Sequence, residues 1–292
     1  MAFAALGIIW GIPYFFIKLA VAELDPLVVA FSRVGLATCV LAPIAWRRGA
    51  LPRFRSHGGA LIAFALAEFA VPFAAIALGE QWISSSLTGI LIATVPMWVV
   101  LLSRSFGVHE RLGARGLTGL ALGFIGVVTL MGFGAISGAL GWLGVGCMIV
   151  AALGYAMGPL IIQRHLSDLE SIGALAACLA IATALLAVPA LLHRPVRLPS
   201  ATALVSIAVL GILCTAIAML LMFYLVSRAG ASRFTLITYI NPAVASLLGL
   251  LVLDERLGSG GIPGFALILL GSWLASRGAR PAPGARALAQ ER

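Results

Sequence analysis

HERLGARGLTGLALGFIG (His109–Gly126) and DERLGSGGIPGFALILLG (Asp254–Gly271) say nearly the same thing 145 residues apart. Nine of the eighteen positions are identical, among them Glu110/Glu255, Arg111/Arg256, Gly113/Gly258 and Gly126/Gly271. In a chain of 292 residues, an offset close to half the length points to an internal duplication. Composition says what kind of unit was duplicated. The chain is 62% hydrophobic and 10% charged, with a mean hydropathy of +1.11. A soluble domain carries about 25% charged residues, so this material cannot clothe a water-exposed surface. The solvent is lipid, and the unit to look for is an apolar helix of roughly 20 residues. Internal symmetry in such a chain points first to a transporter.

Ten apolar runs are visible, at about 2–22, 27–46, 58–79, 83–104, 114–133, 140–162, 171–192, 202–227, 232–253 and 261–278. The gaps are short and hold no soluble domain. The first run ends in Ala20-Val21-Ala22, which resembles a signal-peptide cleavage site. It lacks a basic leader and is interrupted by Pro13 and Lys18, so it is expected to be a retained helix. The expected architecture is an all-α integral membrane protein of ten transmembrane helices. It divides into a first five-helix repeat (1–137), a second, inverted five-helix repeat (138–279) and a disordered cytoplasmic tail (280–292).

Charge sets the orientation. The net charge is +9, and eighteen of the nineteen basic residues are arginines. Alternate gaps and the tail hold fourteen of them: Arg47, Arg48, Arg53, Arg55, Arg104, Arg111, Arg115, Arg164, Arg228, Arg233, Arg277, Arg280, Arg286 and Arg292. The opposite gaps hold three: Arg194, Arg197 and Arg256. The positive-inside rule then puts both termini in the cytoplasm. Basic patches interleaved with exposed aromatics are missing, so nucleic acid is not an expected partner. Because each copy has an odd number of spans, the second enters the bilayer upside down. The gap from Arg104 to Arg115 carries a net +2 and faces inward; its counterpart Asp254-Glu255-Arg256 carries −1 and faces outward.

Polar chemistry inside the spans is sparse. The four cysteines all fall in apolar runs and read as small buried side chains. The histidines are scattered, no metal spacing is present, and no cofactor is expected. HExxH, GxSxG, paired intramembrane aspartates and intramembrane histidine are all missing, which argues against an enzyme. Trp10, Tyr14 and Lys18 share one helix face, and their counterparts 145 residues on are Tyr155, Pro159 and Gln163. The stripe reads either as a cavity lining or as interfacial aromatics with a snorkelling lysine. Prolines interrupt the spans in pairs, Pro13 with Pro159 and Pro96 with Pro242. Each removes a helix hydrogen bond, and matched breaks in two repeats point to a transport site; static kinks are the alternative. Polar neighbours accompany them: Thr94 and Trp98 near Pro96, and Thr235, Thr238, Tyr239 and Asn241 near Pro242. Lys18, Arg33 and Glu68 are the charges within spans. Glu68 lies deepest, about 16 Å from the cytoplasmic side at ~1.5 Å per residue. A carboxylate there must be paired, protonated or water-facing. It serves either as a substrate-ammonium or proton site, or structurally, in an ion pair with Arg33 or Lys18 or as a neutral acid. Glycines recur in spans 5 and 10 and predict close helix packing, within one chain or across a homodimer.

Several of these residues carry a family likeness. They are the Trp10-Gly11 start, Arg33, and the run from Pro96 to Glu110-Arg111-Leu112. The run recurs as Asn241-Pro242 to Glu255-Arg256-Leu257, and YLVSRAGAS spans Tyr224–Ser232. By these features the chain resembles the drug/metabolite transporter (DMT) superfamily, EamA type, over nearly its whole length. Within it the chain is similar to amino-acid exporters of the YddG type, on general similarity. The resemblance implies a ten-helix inverted-repeat carrier with a cavity among spans 1–4 and 6–9, and spans 5 and 10 outside it. The expectation is an alternating-access exporter of small metabolites in a bacterial inner membrane. Amino acids are foremost, with aromatic and hydrophobic ones favoured. Trp10, Tyr14, Glu68, Trp98, Tyr155, Tyr239 and Asn241 are the substrate-binding candidates. Pro13, Pro96, Pro159 and Pro242 are the hinge candidates, and Glu68 is the candidate for proton coupling. The alternative cargoes are cationic drugs, which want a free carboxylate, and nucleotide-sugars, which want several cavity cations.

Overall fold

The computed structural model describes residues 2–51, 54–103, 105, 110–132, 138–166, 169–222, 241–253 and 261–281. Helix occupies at least part of every apolar run. The first run is α1 (Ala2–Gly11) and α2 (Pro13–Val21), and the second is α3 (Pro26–Arg47). The third is α4 (Phe54–Phe64), a π-helical turn (Ala65–Ala70) and α5 (Val71–Gly79), and the fourth is α6 (Ser85–Ile92) and α7 (Val95–Ser103). Then come α8 (Ala114–Gly132), α9 (Gly138–Ile161) with a π turn at Ile162–Leu166, and α10 (Ser171–Leu192). α11 (Ala201–Ala208) runs into a longer π turn (Val209–Ile217); α12 (Asn241–Val252) and α13 (Gly261–Gly278) complete the set. Among the described residues five helical stretches are long and apolar enough to cross a membrane: Pro26–Arg47, Ser56–Gly79, Gly138–Ile161, Ser171–Leu192 and Ala201–Met222. Helix is what lipid demands, because each backbone donor must find its acceptor within the segment.

Short polar caps start these helices. The Asp25 carboxylate accepts from the Leu27 amide at 2.8 Å, with Pro26 in the first turn. Ser84 and Ser200 accept from the amides of Leu87 and Ala203. Each satisfies one of the orphan donors of a helix start.

Residues 145 apart meet in the packing. Thr38 of α3 and Thr183 of α10 share a hydroxyl–hydroxyl hydrogen bond of 2.9 Å. α8 and α13 pack through glycines in a reciprocal pattern. A β-carbon at Gly126 would lie 2.8 Å from the Gly264 carbonyl oxygen, and one at Gly271 would lie 2.6 Å from that of Gly119. Gly119 and Gly264 are repeat equivalents, as are Gly126 and Gly271. Contact i-to-j is therefore matched by j-to-i, the signature of a two-fold interface, and the two helices run antiparallel. Outward side chains such as Phe124, 67% exposed, are apolar, as lipid contact requires.

Two short strands form the only sheet among the described residues. Glu110–Leu112 (β1) pairs antiparallel with Ala279–Pro281 (β2). The expectation of disorder from residue 280 therefore needs correcting for Arg280 and Pro281, whose main chain is held in the ladder. Residues 282–292 lie outside the described set.

The buried side chains form two apolar clusters. One holds Leu6, Ala45, Leu61, Phe73 and Ala216. The other holds Tyr14, Leu24, Ile76, Ile83 and Leu210. Their seam crosses the third span between Phe73 and Ile76 and the eighth between Leu210 and Ala216.

Candidate functional site

The seam is where helix 1 breaks. Ile12 separates α1 from α2, Trp10 packs against the first cluster and Tyr14 is buried in the second. Gly11 permits close approach of α12. A β-carbon there would sit 2.8 Å from Val244 Cγ1 and 2.9 Å from the Asn241 carbonyl oxygen. Asn241 is buried and opens α12, so the first break abuts the Asn241-Pro242 start. Tyr155 packs against both clusters and marks the seam on α9.

The prolines are not equivalent. Pro13, Pro96 and Pro242 stand in the first two residues of α2, α7 and α12, where a missing N–H costs nothing. Ala93 and Thr94 form the turn before α7. Thr94 donates to the Leu91 carbonyl at 2.7 Å and accepts from Trp98 Nε1 at 3.2 Å, so the Trp98 indole is satisfied locally. Pro159 instead lies inside α9, and the irregularity follows it as the π turn at Ile162–Leu166. Tyr239 lies outside the described residues.

The three intramembrane charges do not pair with one another among the described residues. Lys18 Nζ donates to the carbonyl oxygens of Glu80 and Ile83, the latter at 2.7 Å, and so closes the end of α5. Glu68 sits in the first π turn, nine-tenths buried, and its Oε2 has no hydrogen-bond partner. It rests against Gly158, where a β-carbon would overlap it. It lies within the first cluster rather than at the seam, between Ala67 and Phe69.

Arg33 is different. It is 5% exposed and lies seven residues into α3. Its Nε donates to Thr215 Oγ1 at 2.8 Å, and its Cζ stands 3.7 Å over the centroid of the Phe73 ring. Thr215 in turn donates to the Leu210 carbonyl at 2.8 Å, five residues back, a spacing that the π turn supplies. Phe73 is the end of an edge-to-face series with Phe69 and Phe64, at 5.7 Å between successive centroids. Tyr14, Tyr155, Cys214 and the buried carboxylate of Glu80 all act on the guanidinium electrostatically. Sequence reading flags Arg33 as a buried charge without assigning it to the site. Thr215 was missed altogether; its only signal is a hydroxyl in an otherwise apolar run.

Both π turns of the long spans fall at repeat-equivalent positions. Adding 145 to Ala65–Ala70 gives 210–215, inside Val209–Ile217. Such turns concentrate at functional sites.

Comparison with known proteins agrees with this architecture. The model of the EamA-like transporter family matches residues 1–132 and 142–277. The chain is 29% identical over 252 residues to YedA of Escherichia coli K12, an uncharacterized inner membrane transporter, covering 85% of this chain and 80% of that one. It is 27% identical to an uncharacterized transporter of Archaeoglobus fulgidus, covering 92% and 95%. It is 24% identical to the uncharacterized transporter YoaV of Bacillus subtilis, covering 92% and 94%. A solved crystal structure at 17% identity superposes with a TM-score of 0.67, covering 100% of this chain and 97% of that one, and so shares the fold. The chain belongs to the EamA-like transporter family and is a multi-pass membrane transporter.

Proposed function

We propose that this transporter exports small metabolites, amino acids foremost, by alternating access across a bacterial inner membrane, with both termini in the cytoplasm. The observation that carries the reading is reciprocal contact between repeat equivalents, Thr38 with Thr183 and Gly126/Gly264 with Gly271/Gly119. It supports two five-helix units, 1–137 and 138–279, related by a pseudo-two-fold axis. Ten spans then result, and a carrier with its site near mid-bilayer follows. Two such units rock about a site at their shared axis, and the breaks at Pro13, Pro96 and Pro242 loosen the helices beside it.

The seam offers Trp10, Tyr14 and Tyr155 as aromatic contact area and Asn241 as a polar contact, with Trp98 and Tyr239 as further candidates. That chemistry favours aromatic and hydrophobic amino acids. Lys18 is engaged by backbone carbonyls, which weakens the case for nucleotide-sugars. A second reading, export of cationic drugs, is favoured by one observation, the unpartnered Oε2 of Glu68.

Proteoliposome uptake of labelled amino acids, with drug cations and nucleotide-sugars as competitors, tests the reading. Saturable amino-acid uptake with counter-flow is expected, reduced by Trp98→Ala and Tyr239→Ala. Uptake of cations alone, abolished by Glu68→Gln, would replace it with the second reading.

A further inference from the structure

We propose that Arg33 is the anion anchor of the transport site: its guanidinium, oriented by Thr215 and Phe73 at the seam between the two apolar clusters, takes the carboxylate of the substrate. The inference rests on the amino-acid reading above and assigns one end of that substrate.

Position comes first. Seven residues into α3 is about 11 Å from its start at ~1.5 Å per residue, near the middle of a hydrocarbon core of about 30 Å. Val29 and Leu36 of the same helix pack with one cluster, Ala30 and Val34 with the other. The guanidinium thus lies where the packing changes hands and where carriers place their sites.

Chemistry comes second. A guanidinium has five N–H donors in a rigid fork. Here Nε is used on Thr215, and the plane lies over Phe73. Among the described residues no carboxylate lies within ion-pair distance of it, and the buried Glu80 carboxylate acts on it only from farther off. Intramembrane charges are kept for function by default. A carboxylate matches the fork bidentately. Tyr14 and Tyr155, at the same seam, offer aromatic surface for the rest of a small amino acid.

Symmetry comes third. The equivalents of Arg33, Thr215 and Phe73 in the other half are Cys178, Ala70 and Ala218. Cys178 is fully buried and makes only a weak bond to the Leu61 carbonyl. A residue needed to hold the scaffold would be needed twice. The cradle occurs once, on a scaffold whose packing glycines and one pair of π turns recur, and that marks it as the part that meets an asymmetric ligand.

The test uses the purified full chain in proteoliposomes, with L-phenylalanine, L-leucine, phenylalaninamide and 3-phenylpropionate as probes. In the wild type, L-phenylalanine is expected to outcompete its amide at least tenfold. Arg33→Gln should cut L-phenylalanine and L-leucine uptake tenfold or more and abolish that preference. Thr215→Val, which keeps the charge and frees Nε, should raise KM several-fold with kcat little changed. The melting curve of Arg33→Gln checks that the variant is folded. A folded Arg33→Gln that keeps the wild-type preference, or that loses acid and amide equally, overturns the anchor. If the wild type carries no amino acid, the amino-acid reading fails separately. A melting shift with 3-phenylpropionate that Arg33→Gln abolishes then still upholds the anchor, and no shift in the wild type overturns it.

Discussion

A side chain at position 158 and the carboxylate of Glu68 compete for one space. A β-carbon there would overlap Oε2, and Phe64 closes the other side at 3.4 Å. Gly158→Ala should therefore lower stability in detergent by about 1–3 kcal/mol, the range for overpacking. Glu68→Ala in the same chain should recover part of that loss. Additive losses in the double variant would show that the two positions do not share the space. At the exposed end of the bundle, Glu23 accepts from the Ser200 hydroxyl at 2.6 Å and from its amide at 2.8 Å. Those bonds hold its carboxyl below the usual carboxylate range. The folded value is thus depressed. The stabilisation is present above the unfolded-state value of about 4.3 and is lost as pH falls through the folded one. Ser200→Ala should cost about 1 kcal/mol at neutral pH through the lost helix cap. It should also flatten the acid limb of the melting profile. An acid limb identical to the wild type would mean that the Glu23 contact does not form.

At the scale of elements, the paired contacts of α8 and α13 predict paired consequences. Gly126→Ala and Gly271→Ala each press a β-carbon into the partner backbone. They should lower the melting temperature by similar amounts, and a large effect at one with none at the other would contradict the two-fold packing. The π turn at Val209–Ile217 makes a separate prediction. It holds one residue more than an α-turn needs, and that extra residue sets Thr215 under Arg33. Deleting Leu213 should restore α-helical spacing, swing Thr215 away and raise KM for carboxylate substrates in an inserted protein; an unchanged KM would detach the turn from the site. Much of this scale was legible in the sequence. Apolar runs locate helices because lipid leaves the backbone no other partner. Three of the paired prolines mark helix starts, where no N–H is required, while Pro159 lies inside α9. The π turns were not legible, because an inserted turn residue is as apolar as its neighbours. The partners of Lys18, Arg33 and Glu68 were also hidden. Sequence position yields depth along a helix, but which neighbour a face meets depends on packing. Hence an ion pair among them, one of the readings the sequence left open, is replaced by a carbonyl pair, a threonine with an aromatic ring, and a glycine. The first two residues of the tail, Arg280 and Pro281, were likewise unreadable as a strand, because a ladder is made by main-chain atoms.

For the molecule as a whole, scaffold and site obey different symmetries. Contacts between α3 and α10 and between α8 and α13 repeat under the 145-residue offset; the Arg33 cradle does not. A duplicated frame provides two states related by inversion, and an unduplicated pocket provides the orientation of one bound molecule. The proposed exchange between outward and inward faces requires that the frame be inverted across the bilayer. Antiparallel packing of α8 and α13 and the pairing of β1 with β2 both agree with that arrangement. Single cysteines at Glu110→Cys and Glu255→Cys, in a chain cleared of its four native cysteines, test it most directly with a membrane-impermeant maleimide on intact cells. Glu255→Cys is expected to label from outside, and Glu110→Cys only after permeabilisation. Labelling of both from the same side would contradict it.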